Sequence, residues 1–140
     1  MAAQGIVGRG ILLDYHSWAL SQSPPIPHDA FTSHSIPLSH LLAVAASQGT
    51  EIKFGDILIV RSGYTVAQHE KTDAELEPLK DITFPSFIGV QQSEEVLRWI
   101  WEHFSAVAGD MPSFECWRTF FFPPPPPPPP LFLLSPFFRT

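Results

Sequence analysis

Cysteine is nearly missing: Cys116 is the single one in 140 residues. That excludes an internal disulfide framework and a zinc site built on several thiolates. Positive charge is scarce as well. Eight Lys and Arg stand against fourteen Asp and Glu, a formal net charge of −6. No basic face of useful size can be built from these, which argues against nucleic-acid recognition through phosphate contacts. No window reaches the roughly 18–20 uninterrupted apolar residues of a membrane-spanning helix. Residues 1–10 also lack the charged start and apolar stretch of a secretory signal. These absences predict a soluble, cytoplasmic protein without nucleic-acid or membrane partners. What is present is enough apolar material, 44% of the chain, for the core of one ordinary domain.

The sixteen prolines are unevenly placed: eight form the unbroken run Pro123 to Pro130 and a ninth is Pro136. From Phe120 to Phe138 every residue is Phe, Pro, Leu or Ser. Those are the four amino acids whose codons can be written with pyrimidines alone, so the segment reads as a translated polypyrimidine tract of the kind found near an intron end. Residues 119–140 are therefore expected to be an unstructured low-complexity tail. A second reading of the same run is functional. A proline run forms an extended left-handed helix that SH3, WW or profilin-type domains grip.

Residues 1–118 alternate strand and helix signals. Ile6 and Val7, then Ile11 to Leu13, suggest a strand interrupted by Gly8 and Gly10, where glycine permits a bulge or a close backbone approach. The glycines at 5, 8 and 10 run G-x-x-G-x-G, with no strand before them and no helix after, which rules out a dinucleotide loop. A loop with Pro24, Pro25 and Pro27 follows. Pro37 then suits a first helical position, with Leu38, Leu41, Leu42 and Ala45 at helical spacing and Gly49 as the stop. The run Ile57-Leu58-Ile59-Val60 predicts a strand covered on both faces, the habit of parallel sheets. Residues 70–81 are charged and predict a solvated helix or loop. Ser93 can cap the next helix, with Glu94 and Glu95 favoured by the dipole in its first turn. Val96, Leu97, Ile100, Trp101 and Phe104 are its expected buried face, and Ala106 to Ala108 a short buried strand. Right-handed helical crossovers then give an α/β fold with a mixed, partly parallel sheet.

In such sheets ligands bind beyond the carboxyl ends of the strands. Asp14, Arg61, Tyr64, Asp110 and Ser113 fall there and make a candidate polar rim, although Asp14 and Asp110 would serve equally as turn caps. Among the six histidines, His28, His34 and His40 are spaced by six, which matches no common metal-ligand spacing. Solvated or capping roles are expected for His16, His28, His34, His40, His69 and His103. There is no G-x-S-x-G elbow, and Cys116 has no base near it in sequence. These residues supply no catalytic set and no metal ligands.

Five strings in register resemble the cyclase family, which includes the bacterial kynurenine formamidases and a large fungal branch. They are residues 5–19 (GIVGRGILLDYHSWA), 34–38 (HSIPL), 55–64 (GDILIVRSGY), 87–99 (FIGVQQSEEVLRW) and 107–115 (VAGDMPSFE). The resemblance implies a mixed-sheet α/β fold and hydrolysis of the amide of N-formylkynurenine, or a related acyl compound, in tryptophan catabolism. It also implies a homo-oligomer, and a divalent metal, zinc or manganese, held by His, Asp and Glu. The family's first ligand group, H-x-G-T-H-x-D or a shorter counterpart, lies upstream of the segment that begins here at Gly5. Its last His and Glu lie downstream of Gly109-Asp110-Met111-Pro112-Ser113. No position here matches either group, though Asp110 and Ser113 match a segment near the metal pocket. The expectation is therefore a partial cyclase domain, residues 1–118, incomplete at both ends, that binds no metal and is inactive alone. The alternative is a non-catalytic remnant or a proline-run adaptor.

Overall fold

The computed structural model describes residue 5, residues 7–81 and residues 86–116; the tail, 119–140, lies outside the described residues. The chain runs β1 (Gly10–Asp14), α1 (Tyr15–Ser21), β2 (Ser35–Ile36), α2 (Leu38–Gln48), β3 (Asp56–Arg61), α3 (Tyr64–Glu70), α4 (Asp73–Lys80), β4 (Gly89–Val90), α5 (Glu94–His103) and β5 (Phe104–Gly109). The three longer strands form one sheet in the order β1-β3-β5, so the apolar run at 57–60 occupies the centre. β2 pairs with β4, and Val90 bridges onward to Glu115. Among the described residues every strand pairing is parallel. No described helix is long and apolar enough to cross a membrane.

The pleat sends alternate side chains to opposite faces. On one face Ile11, Leu13, Leu58 and Val60 are buried and meet Leu41, Val44 and Ala45 of α2 and Ala19 of α1. The α2 boundaries follow from backbone chemistry. Pro37 stands just outside the helix as its cap, with extended backbone, rather than in the first turn. Gly49 adopts a left-handed φ of 64°, returning its N–H to the carbonyls of Ala45 and Ala46. α4 closes its own N-terminus with a Thr72–Glu75 capping box and stays outside the core, as the charged composition of 70–81 predicts.

Three expectations about burial are corrected. Ile59 is 38% exposed and Leu12 48% exposed, so the second face of the sheet is not covered by the described elements. The segment 106–108 is an exposed edge strand rather than a buried one, because among the described residues β5 pairs only with β3. Helix α5 turns Val96 and Trp99 inward, while Leu97 and Trp101 are 61% and 87% exposed. At 3.6 residues per turn, positions 96, 99, 100 and 103 share one side, and 97 and 101 share another.

Register is pinned at the amino ends of the strands. Asp56 is buried and accepts Arg9 Nε at 2.8 Å, Arg9 Nη2 at 2.6 Å and the Lys53 amide at 2.8 Å. This ties the chain before β1 to the start of β3, where Gly10 lies opposite Ile57. The Arg9 hydrogen bonds hold the Asp56 carboxyl below its ordinary value. A lowered carboxylate contributes stability that is complete above the unfolded value near ~3.9 and is lost as pH falls through the folded value. Arg9→Met removes the cause and leaves Asp56 buried. Its acid-unfolding midpoint, followed by far-ultraviolet circular dichroism, should move to higher pH than that of the parent chain. A midpoint that does not move would contradict the role given to the pair.

Candidate functional site

The carboxyl ends of the three parallel strands carry the polar groups of the site. Asp14 ends β1 and lies opposite Arg61, which ends β3. Arg61 Nη1 donates to both Asp14 oxygens at 2.8 Å and to Ser17 Oγ at 3.1 Å. Asp14 also caps α1, accepting the Ser17 amide at 3.0 Å and the Ser17 hydroxyl at 2.9 Å. Burial pushes the Asp14 carboxyl upward, but the Ser17 and Arg61 contacts outweigh it and hold the group below its ordinary value. It is an anion whose charge is already committed.

Asp110, just past β5, reaches across to the β3–α3 turn. One of its oxygens accepts the Ser62 amide at 2.6 Å and the Ser62 hydroxyl at 2.7 Å. The other accepts the amides of Gly63 at 3.1 Å and Thr65 at 3.3 Å. Both aspartates therefore bind the starts of helices or turns, and Asp14 also places Arg61. Tyr64 opens α3, but its ring packs against Phe31 and Phe87 with centroids 5.3 and 5.6 Å away. Burial raises its phenol pKa. Those rings line a groove of about 320 Å³ with Gln68, Leu79 and Lys80. Ser113 lies in the turn after β5, its hydroxyl 3.5 Å from Glu115. Of the five rim candidates, the structure links Asp14 directly to Arg61 and Asp110 to the turn that follows Arg61.

The histidines depart from expectation. His28 and His34 of the proline-rich loop and His40 of α2 pack around the fully buried Tyr15, and His16 of α1 joins them through His28, instead of standing apart in solvent. Ring centroids of His28, His34 and His40 lie 5.5, 6.0 and 6.0 Å from that of Tyr15. His34 Nε2 and the Tyr15 hydroxyl are 2.9 Å apart. His16 Nδ1 and His28 Nε2 are also 2.9 Å apart, and His28 Nδ1 is 2.9 Å from the Ile26 carbonyl. Burial lowers the pKa of His16 and His34, and neighbouring imidazoles add to that. Burial pushes the Tyr15 phenol up to about 12, so it is a neutral hydrogen-bonding group. Of the other two, His103 takes a capping role, its Nδ1 2.8 Å from the Trp99 carbonyl.

This cluster joins the rim at Gly63, whose φ is 93°. A Cβ there would stand 2.3 Å from His16 Nδ1, so the His16 ring occupies space that only glycine leaves. A second groove, about 410 Å³ between Val90, Val96, Leu97, Ile100 and Phe114, is apolar and shares no residue with the rim or the cluster. Cys116 is buried with its thiol directed at the Phe87 carbonyl at 3.6 Å, and burial raises its pKa, so it is no thiolate nucleophile.

A parallel α/β sheet with a polar rim at its strand ends defines the class, and sequence comparison gives the family. The sequence model of the cyclase family matches residues 1–116, so the chain belongs to that family. A solved structure described as a novel cyclase superposes with a TM-score of 0.63 at 19% identity, over 83% of this chain and 35% of that one. The present chain thus spans about a third of the length of that relative. No curated protein matches significantly.

The metal that the family resemblance implies needs about three protein donors around one point. Among the described residues no three His, Cys, Asp or Glu side chains are so grouped. Asp14 and Asp110 have both oxygens engaged, and the imidazoles face one another or Tyr15. These residues do not fit a three-ligand hydrolytic centre.

Gly63→Ala tests the join between rim and cluster. It places a side chain in the left-handed region and against His16, each unfavourable, and should lower the melting temperature by several degrees. Adding His16→Ala should recover part of that loss, the steric part, and leave the backbone part. Equal melting of all three chains would show that the contact is not made.

Proposed function

We propose that this chain carries the substrate-orienting wall of an arylformamidase-type cyclase. Its ligand is an N-formylated aromatic amino acid such as N-formylkynurenine, whose amide the intact family hydrolyses to kynurenine in tryptophan catabolism. The observation that carries this reading is Arg61, at the end of the central strand of a cyclase-family sheet. Asp14 fixes one of its nitrogens, and that orients the rest of a planar guanidinium with five donors. A planar guanidinium is the natural partner of a substrate carboxylate. Asp110 supports the same end of β3 through Ser62 and Gly63.

Orientation does not generate a nucleophile. An unactivated amide needs a metal-bound hydroxide or a comparably strong attacking group at neutral pH. The described residues offer neither three grouped donors nor a thiolate. The chain alone is therefore a binding wall, and the hydrolytic step belongs to the longer proteins of the family. In zinc- or manganese-supplemented buffer it should bind kynurenine saturably by calorimetry and show no formamidase turnover above the uncatalysed rate. Arg61→Met should abolish that binding while circular dichroism stays unchanged. Undiminished binding by the Arg61 variant, or turnover by the parent chain, would overturn the reading.

A further inference from the structure

We infer that His16 and His28 form a two-imidazole site for a borderline divalent first-row cation, copper(II), nickel(II) or zinc(II). His16 Nδ1 and His28 Nε2 stand 2.9 Å apart. The second nitrogen of His28 faces the Ile26 carbonyl at 2.9 Å. A carbonyl only accepts, so Nδ1 of His28 carries the hydrogen and Nε2 of the neutral ring presents a lone pair. That arrangement, one nitrogen anchored to a backbone carbonyl and the other left as donor, is how a ligating histidine is held. In the absence of a cation the remaining hydrogen of the pair sits on His16 Nδ1 and bridges the two rings. Cation binding moves that hydrogen to His16 Nε2, a change of tautomer that leaves both rings neutral and releases no proton.

The spacing suits the cation. Two nitrogens at about 2.0–2.1 Å from a metal and about 90° apart at it are separated by about 2.9 Å, the cis relation of square-planar and octahedral centres. The rings are inclined at 79°, and binding exchanges the hydrogen bond between them for a bond from each ring nitrogen to the cation. Both rings have fixed surroundings. His16 lies against the Gly63 backbone, where a Cβ would come within 2.3 Å of its Nδ1, and the His28 ring meets Tyr15 edge-on at 5.5 Å. Two neutral nitrogen donors select copper, nickel and zinc over magnesium, calcium and manganese. With no third His, Cys, Asp or Glu grouped with them among the described residues, water completes the shell and the cation is exchangeable.

The test uses the whole 140-residue chain without a histidine tag, stripped with chelator and titrated with nickel(II) or manganese(II) by calorimetry. One equivalent of nickel should bind and manganese should not. His16→Gln and His28→Gln should each weaken nickel binding by about tenfold or more, the scale on which even a supporting group matters. His103→Gln, on a different helix end, should leave it unchanged. Electron paramagnetic resonance of the copper(II)-loaded parent chain supplies a readout independent of any variant's folding, and two equatorial imidazole nitrogens should appear. Nickel affinity unchanged in both the His16 and His28 variants, a single coordinated imidazole, or equal binding of manganese would each overturn the assignment.

Discussion

The carboxylate of Asp110 receives four hydrogen bonds, from the amides of Ser62, Gly63 and Thr65 and from the Ser62 hydroxyl. It stands past the end of an edge strand and yet organises the turn after the central one. With Asp110 in place, Gly63 holds its left-handed conformation, α3 starts where it does, and His16 has room beside the turn. Remove the carboxylate and three backbone amides lose their acceptor at once. Those of Ser62 and Gly63 are buried, and buried donors left unmatched cost more than the net worth of the bonds they had made. The rim and the histidine cluster, contributed by segments far apart in sequence, thus share one support.

Much of the fold is legible in the sequence. Ile57 to Val60 announced the central strand because four consecutive apolar residues leave few alternatives. Pro37 and Gly49 bracketed α2 through backbone restrictions that need no tertiary context. The strand ends also pointed to the rim. Burial was less readable. The same four residues implied cover on both faces, whereas Ile59 is 38% exposed, because periodicity reports what a strand tolerates and not what stands opposite it. Leu97 and Trp101 misled for a related reason: in α5 two apolar stripes compete, and which one turns inward depends on where β5 runs.

The histidines were hidden more thoroughly. Their spacing carries no helical or metal-ligand signature, since they meet only when the proline-rich loop folds back over α1 and α2. The one local sign was Tyr15, an aromatic placed directly after a strand end, whose hydroxyl needs a partner once the ring is buried. The aspartates illustrate the opposite case. Asp14 and Asp110 were read both as pocket groups and as caps, and their hydrogen bonds show the capping role in full while Arg61 acquires its orientation from one of them.

The face of the sheet that the described elements leave open bears on how the chain can vary. Leu12 and Ile59 are paired across β1 and β3, and they sit beside Ala108 of β5 in one row. One residue along, Leu13, Val60 and Gly109 form the neighbouring row on the opposite, packed side, where Leu13 and Val60 have no exposure at all. Substitution should therefore be tolerated with a period of two along strands whose composition is uniformly apolar. Charges would be accepted at 12 and 59 and rejected at 13 and 60. A mutational scan of this sheet would draw an amphipathic ribbon over a sequence that reads as a buried one.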